Sequence, residues 1–167
     1  MTQSLIKDSV NAKLDELVKK FFLGNRIFDR AMSVLDVKFV MPKTVSILHP
    51  KLAHLFPGLA DKISTYQSDR NALTVYGETP LDNSDYNSPQ EFFIRMVAYM
   101  AEVEFLCGEI CEIAMENNDH TTKAFIDSFL VSIIPVTKQL ILLADKSEKF
   151  GSDLMMFDHI VEDFIIL

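Results

Sequence analysis

The sequence is poor in residues that break regular structure. Among its 167 residues there are five glycines, six prolines and no tryptophan. With a hydrophobic fraction of 49%, this composition excludes disorder as the main state. Thirteen phenylalanines and eight methionines indicate a core of aromatic and flexible side chains. We expect one domain over residues 1–167, which is long enough to bury a full core.

Positive charge is scarce as well. Sixteen lysines and arginines stand against 24 aspartates and glutamates, which leaves a net charge of −8. Residues 1–8 carry a single lysine, so there is no basic arm at this end. Non-specific affinity for DNA comes from lysine and arginine side chains that neutralise phosphates. The sequence therefore predicts no DNA binding at physiological salt.

Two further absences concern membranes and disulfides. No apolar stretch follows a basic start, and no uninterrupted apolar run approaches the ~20 residues that cross a bilayer. The only cysteines, Cys107 and Cys111, lie four residues apart in a helical pattern, which does not give disulfide geometry. A Cys-x-x-x-Cys metal site is one interpretation, but two buried core thiols are favoured. We expect a cytoplasmic protein without a signal peptide or membrane span.

Helical spacing of apolar residues dominates the chain. It predicts one helix over about Ser4–Leu35, in which Gly24 marks a close helix contact, and a second over about Val40–Val75. Three prolines near the start of the second region predict a broken beginning and a continuous helix only after Pro57. The third and fourth helices are predicted over Pro89–Glu116 and from Asp119 to about Ser147.

Local signals mark the ends of the later helices. Ser88 and Glu91 form a capping box in front of the third helix, and Asp119 caps the fourth. The turn-rich stretch Tyr76–Pro89 is the one long connection. A short fifth helix follows Gly151 and ends in the apolar run Phe164–Leu167. The sequence thus predicts an all-α antiparallel four-helix bundle with one long crossover and a short C-terminal fifth helix.

The segment Ala101–Leu143 resembles the last two helices of Dps proteins, the mini-ferritins of stressed bacteria. The shared features are a helix that ends at Ala114 and the sequence Asp119-x-x-Thr122 that opens the next helix. Further matches are Phe125, Phe129, Lys138-Gln139-x-x-Leu142, Leu48-His49, Asp69-Arg70 and Tyr76-Gly77. The resemblance implies a ferritin-like fold, assembly into a hollow shell, oxidation and storage of iron, and a role in stress protection.

It also implies an iron site between two subunits, made of two histidines and of two carboxylates four residues apart. Aligned on His49, the carboxylate positions fall at Ser64 and Ser68, one step from Asp69. Aligned on His54, Asp69 matches and its partner position is Leu73. Either alignment lacks at least two ligands, so we expect no rapid ferroxidase turnover. The alternative interpretation of both histidines is a helix cap or a surface group.

Two carboxylates on the later helices are further candidates. Glu104 lies among apolar neighbours on the third helix, and a carboxylate on an apolar face needs a partner or an ion. A salt bridge across a subunit interface is the favoured interpretation, and iron ligation is the other. Asp127 is either an inward carboxylate or a solvent-facing one.

Two functions from different classes follow. One is an iron-handling protein of the Dps or ferritin type with an incomplete ferroxidase site. The other is a non-catalytic structural or interaction protein that has kept the fold and lost the metal. In both cases the third helix, which is apolar around most of its circumference, predicts a homo-oligomer, either a dimer or a larger shell. The apolar run Phe164–Leu167 favours association as well, and the alternative is that the fifth helix folds back over one end of its own bundle.

Overall fold

The computed structural model describes residues 3–167, and it confirms the all-α prediction. Six helices follow one another along these residues: α1 Asp8–Val37, α2 Pro42–Leu48, α3 Leu55–Asp69, α4 Pro89–Glu116, α5 His120–Phe150 and α6 Leu154–Ile160. A π-helical segment, His49–Ala53, joins α2 to α3, and a 3₁₀ turn, Val161–Phe164, follows α6. The four long units are therefore α1, α2 with α3, α4, and α5.

These units form a four-helix bundle around an apolar core. α1 packs against both α3 and α4, and α5 packs against α4. The links from α1 to α2 and from α4 to α5 are short, whereas residues 70–88 form the predicted long crossover between α3 and α4. Short links make neighbouring helices antiparallel, and the crossover gives the connectivity expected from the sequence.

The break in the second unit lies earlier than predicted. α3 begins at Leu55, so Pro57 falls in its first turn, where a missing N–H group breaks no intrahelical bond. The interruption is the π-helical segment, in which the His54 N–H donates to the His49 carbonyl at 3.4 Å. Pro50 lies in this segment and has no N–H to donate, which disfavours a regular α-helical turn here.

α3 also ends earlier than predicted, at Asp69 instead of Val75. Asn71 has a positive φ of 56°, and the Ala72 N–H donates back to the Gln67 carbonyl at 2.9 Å. Helices commonly end with a residue in the left-handed conformation, followed by a hydrogen bond from the next N–H group back to the last turn. Asparagine tolerates the left-handed conformation well. The crossover consequently starts at residue 70.

Buried Gln67 fixes the start of the crossover. Its side-chain amide nitrogen donates to Asn11 and Asp15 of α1 at 2.9 and 2.8 Å, and its carbonyl oxygen accepts from the Thr74 hydroxyl at 2.8 Å. Asp15 also accepts the Val75 backbone N–H at 3.0 Å. Because every polar atom of this buried amide has a partner, the network positions residues 73–75 along α1.

An ion pair fixes the end of the crossover. Arg95 of α4 donates to Asp82 at 2.5 Å and to the Tyr86 hydroxyl, also at 2.5 Å. Lys38, just after α1, reaches Asp85 and the Tyr86 carbonyl at 2.9 and 2.6 Å. Burial tends to raise the pKa of Asp82, but hydrogen bonds from Arg95 and Ser84 outweigh it and hold that pKa below its usual value.

The predicted caps are confirmed with one difference. The Glu91 N–H donates to the Ser88 hydroxyl at 3.2 Å, and the Thr122 N–H donates to Asp119 at 3.0 Å. The Glu91 carboxylate, however, accepts the N–H of Asn87 at 2.7 Å, one residue before the cap. Both helices thus begin where their local sequence signals place them.

The close helix contact predicted at Gly24 is confirmed. A Cβ atom at this position would lie 2.5 Å from the Tyr99 hydroxyl and 2.7 Å from its Cζ. That hydroxyl donates to the Lys20 carbonyl at 2.7 Å, so the Tyr99 ring crosses α1 in the space left by the missing side chain.

The C-terminal helix folds back over one end of its own bundle. Phe157, Val161 and Phe164 are buried, whereas Ile166 and Leu167 are 49% and 37% exposed. Asp158 accepts the N–H groups of Lys43 and Thr44 at 3.3 and 2.7 Å, so it caps α2 from another part of the chain. Phe164 thus belongs to the core of its own chain, as in the alternative interpretation of the C-terminal run.

α5 is long and apolar enough to cross a membrane by length and composition, which the sequence reading did not foresee. Core helices of water-soluble bundles share this composition, and α5 packs along α4 with Ile126, Ile133 and Leu140 in the core. Composition alone therefore makes no case for a membrane protein.

Candidate functional site

The two candidate histidines meet at the π-helical segment. His49 begins this segment and His54 follows it, and their rings lie edge to face with centroids 4.7 Å apart. His49 Nε2 lies 3.2 Å from Asp29 Oδ1 of α1, and both of these side chains are almost half exposed. Because a π-helical turn widens the helix locally, it brings two side chains five residues apart onto one side.

Asp69 lies at the other end of α3. It is exposed in the last turn, and fifteen residues separate it from His54. At 1.5 Å of rise per residue this corresponds to about 22 Å along the helix. Asp69 and the two histidines therefore belong to different regions of one copy of the chain.

Glu104 is exposed on α4, with exposed Phe105 beside it. No ion pair to Glu104 occurs among residues 3–167. Water reaches this carboxylate in the single chain, and a salt bridge across a subunit interface or iron ligation stays a prediction. Asp127 is also exposed and pairs with Lys123 at 2.6 Å, which makes it the solvent-facing carboxylate of the two alternatives.

The centre of the bundle does not suit iron. The side chains that meet there are apolar and fully buried: Leu17, Phe21, Phe56, Ile63, Met100 and Val103. Within the described residues no three histidine, cysteine, aspartate or glutamate side chains come together in an arrangement that could hold a metal ion. Iron at an open redox site is held by oxygen and imidazole ligands, and these six side chains offer none.

Both thiols lie in surroundings that disfavour the thiolate form. Cys107 is fully buried, and burial raises its pKa to about 12. Cys111 is partly buried and its sulfur lies 3.8 Å from Asp127; burial and this carboxylate raise its pKa. Both cysteines are free, as expected, and a thiol with a raised pKa forms little of the thiolate that binds metals or attacks electrophiles.

A concave feature with an aromatic lining lies between α3 and α5, and we call it the α3/α5 groove. It has a volume of about 570 Å³. Its lining consists of Gly58, Asp61, Lys62, Thr65, Tyr66, Asp69, Phe125, Ser128, Phe129 and Ser132. Of the four candidates from the sequence, Asp69 lies here, and His49, His54 and Glu104 do not.

Solved structures share this architecture. A humanized archaeal ferritin superimposes with a TM-score of 0.87 over 97% of this chain and 98% of its own, at 15% identity. An open-pore ferritin from the hyperthermophilic archaeon Archaeoglobus fulgidus gives a TM-score of 0.82 over 99% of both chains, at 16% identity. The fold is that of a ferritin subunit. No protein-family model and no curated protein sequence matches the chain.

The ferritin-like part of the resemblance is therefore confirmed for the fold. Because the match to the A. fulgidus ferritin covers 99% of the chain, it includes the short C-terminal helix. The Dps subtype finds no support of its own among these neighbours, and it stays a prediction together with the iron ligands.

Sequence reasoning missed Asp29 and the groove. Asp29 carried no motif, and its position beside His49 depends on packing of α1 against the π-helical segment. The groove depends on the distance between two helices that are far apart in sequence. The one available signal was Gly58, a glycine without a turn or a cap to explain it.

Proposed function

We propose that this chain is the subunit of a ferritin-like homo-oligomer that handles iron and has no ferroxidase centre inside its bundle. The observation that carries the proposal is the superposition over nearly the full length of two ferritins. The apolar bundle centre supports the proposed absence of a ferroxidase centre. Protection from iron-driven stress, as in Dps proteins, is the finer role that the resemblance favours.

The ligands proposed for iron are His49 and His54 of one copy, with Asp29 beside them. In one copy these three side chains do not come together in an arrangement that could hold a metal ion, so an iron site with imidazole and carboxylate ligands needs a further ligand from a neighbouring copy. Asp69 joins such a site only from a neighbouring copy, because about 22 Å of α3 separates it from His54. Glu104 is exposed, so it too is available to another copy.

The test is iron content and oxidation rate of the full chain. Protein purified from iron-supplemented cells is expected to carry iron in the assembled fraction, and ferrous oxidation measured by absorbance is expected to be slow. Fast turnover that His49→Ala or Asp69→Ala abolishes would contradict the absence of a ferroxidase centre. His159→Ala is the matched control, because His159 is exposed on α6.

The second candidate is a non-catalytic structural or interaction protein on the same fold. The apolar bundle centre favours it, since ligands are missing where the four helices meet. Assembly without any iron above the level of a non-ferritin control protein would decide for this candidate.

A further inference from the structure

The α3/α5 groove is a wide opening on one side of the bundle. No Cα atom of α3 lies within 8 Å of a Cα atom of α5, although both helices flank the same core. Helices packed directly against each other have axes 8–10 Å apart, so their nearest Cα atoms lie less than 8 Å apart. The fourth side of the bundle is thus held by side chains and not by helix packing.

Aromatic rings close one end of the groove and form its floor. Tyr66 and Phe125 stack with centroids 3.9 Å apart and planes inclined by 7°. The Tyr66 hydroxyl bonds to Thr122 at 2.8 Å, which fixes this ring. Phe129 is 4% exposed, lies beside Phe125, and packs edge to face on Phe21 at 5.7 Å. Each of these three rings therefore has a packing partner inside the chain.

Gly58 keeps the other end open. A Cβ atom at this position would have no neighbour within 4 Å, so the groove is empty there. Gly58 and Tyr66 are eight residues apart, or about 12 Å along the helix. That length matches a fused three-ring system, and a volume of about 570 Å³ lies within the usual range of small-molecule sites.

The rim favours a cation. Asp61 and Asp69 line it from α3, both are exposed, and neither forms an ion pair among residues 3–167, whereas Lys62 is the single cationic side chain of the lining. The face of an aromatic ring also attracts positive charge. The whole chain adds a net charge of −8. The length of the groove favours a flat fused-ring ligand, and the charge of its rim favours one with a positive charge.

We propose that the α3/α5 groove is a binding site for a small planar aromatic cation. The ligand lies along the groove with its rings against Phe129 and the Tyr66–Phe125 stack, and its charge lies near Asp61 and Asp69. The groove lies apart from the histidine cluster, and Asp69 is the one groove residue that is also a proposed iron ligand.

The test uses two three-ring probes of similar shape and opposite charge. Proflavine, a cation, is titrated into the full chain and followed by fluorescence; 9-anthracenecarboxylate, an anion, is the comparison. We expect saturable binding of one proflavine per chain, tighter than that of the anion, with a preference that weakens as salt is raised. Asp61→Asn with Asp69→Asn is expected to reduce proflavine affinity about two- to fivefold.

Gly58→Leu should fill the groove and lower proflavine affinity by about tenfold or more. Leucine also has a higher helix propensity than glycine, so this variant should fold. Gly108→Leu is the matched control, because a Cβ at Gly108 of α4 also has no neighbour within 4 Å but lies outside the groove. Ser132→Leu provides a second way to fill the groove.

Several results would overturn the proposal. They are the absence of saturable binding, equal loss of binding in Gly108→Leu, or unchanged binding in both Gly58→Leu and Ser132→Leu. A change of oligomeric state in Gly58→Leu without any probe would instead assign the groove to a second copy of the chain, and would overturn it as well.

Discussion

Gly24 is the position where one methyl group has the clearest consequence. Tyr99 cannot move away freely, because it is buried, its hydroxyl is held by the Lys20 carbonyl, and Phe56 packs on its ring. We expect Gly24→Ala to lower the free energy of unfolding by about 1–3 kcal/mol. Gly108→Ala, in open space, should raise it by about 0.4–1 kcal/mol. Urea unfolding of both variants measures the difference; equal midpoints would contradict it.

Val40 is the opposite case, a position where glycine should fit better than the residue present. It has a φ of 53° between α1 and α2, a conformation that a β-branched residue rarely adopts, and its side chain is 73% exposed. We expect Val40→Gly to stabilise the protein by about 1 kcal/mol. Val37→Gly is the control: it is 79% exposed but lies in the last turn of α1, where glycine should destabilise by up to about 1 kcal/mol. Thermal unfolding that shifts both variants in the same direction would refute this reasoning.

The crossover is the element whose stability should depend on acid. The side chain of Asp82 is 7% exposed, and hydrogen bonds from Arg95 and Ser84 hold its pKa below the usual value against the effect of burial. Its contribution is complete above the ordinary aspartate pKa and is lost as the pH falls through the lowered one. We expect Asp82→Asn to speed amide exchange around residues 82–86 at neutral pH. In this variant the protection of these amides, relative to their intrinsic exchange rates, should no longer fall as the pH is lowered. Asp61→Asn, outside the crossover, should leave exchange there unchanged.

The helices differ in how far their sequence could predict them. α4 and α5 begin where Ser88 and Asp119 indicate, because a cap bonds to a backbone N–H three residues away. The end of α3 at Asp69 was not predictable from apolar spacing, which continues to Val75. It depends on the left-handed Asn71 and on Gln67, whose partners lie on α1. Contacts across helices also explain why Asp29 and the groove escaped the sequence.

For the whole molecule, the sequence predicted the bundle and its crossover, since both follow from helix lengths and turn residues. It did not predict which apolar residues remain on the surface. The C-terminal run was one candidate, and its residues divide: Phe164 packs inside its own bundle, whereas Ile166 and Leu167 are exposed. The crossover was predicted as a turn-rich connection, and it also exposes four large apolar side chains: Leu73, Val75, Tyr76 and Leu81.

This exposed crossover is where we expect subunits to meet. Leu73 and Leu81 are 85% and 83% exposed, and burial of a large apolar side chain is worth about 1.5–3 kcal/mol. We predict at least a dimer at micromolar concentration, and a shift toward the 19.0 kDa monomer in Leu73→Ser with Leu81→Ser. Met155→Ser is the matched control, because Met155 is 84% exposed on α6 at another part of the bundle. Light scattering across a dilution series measures the mass. A wild-type monomer at every concentration would refute the assembly, and equal weakening by Met155→Ser would refute the assignment of the interface to the crossover.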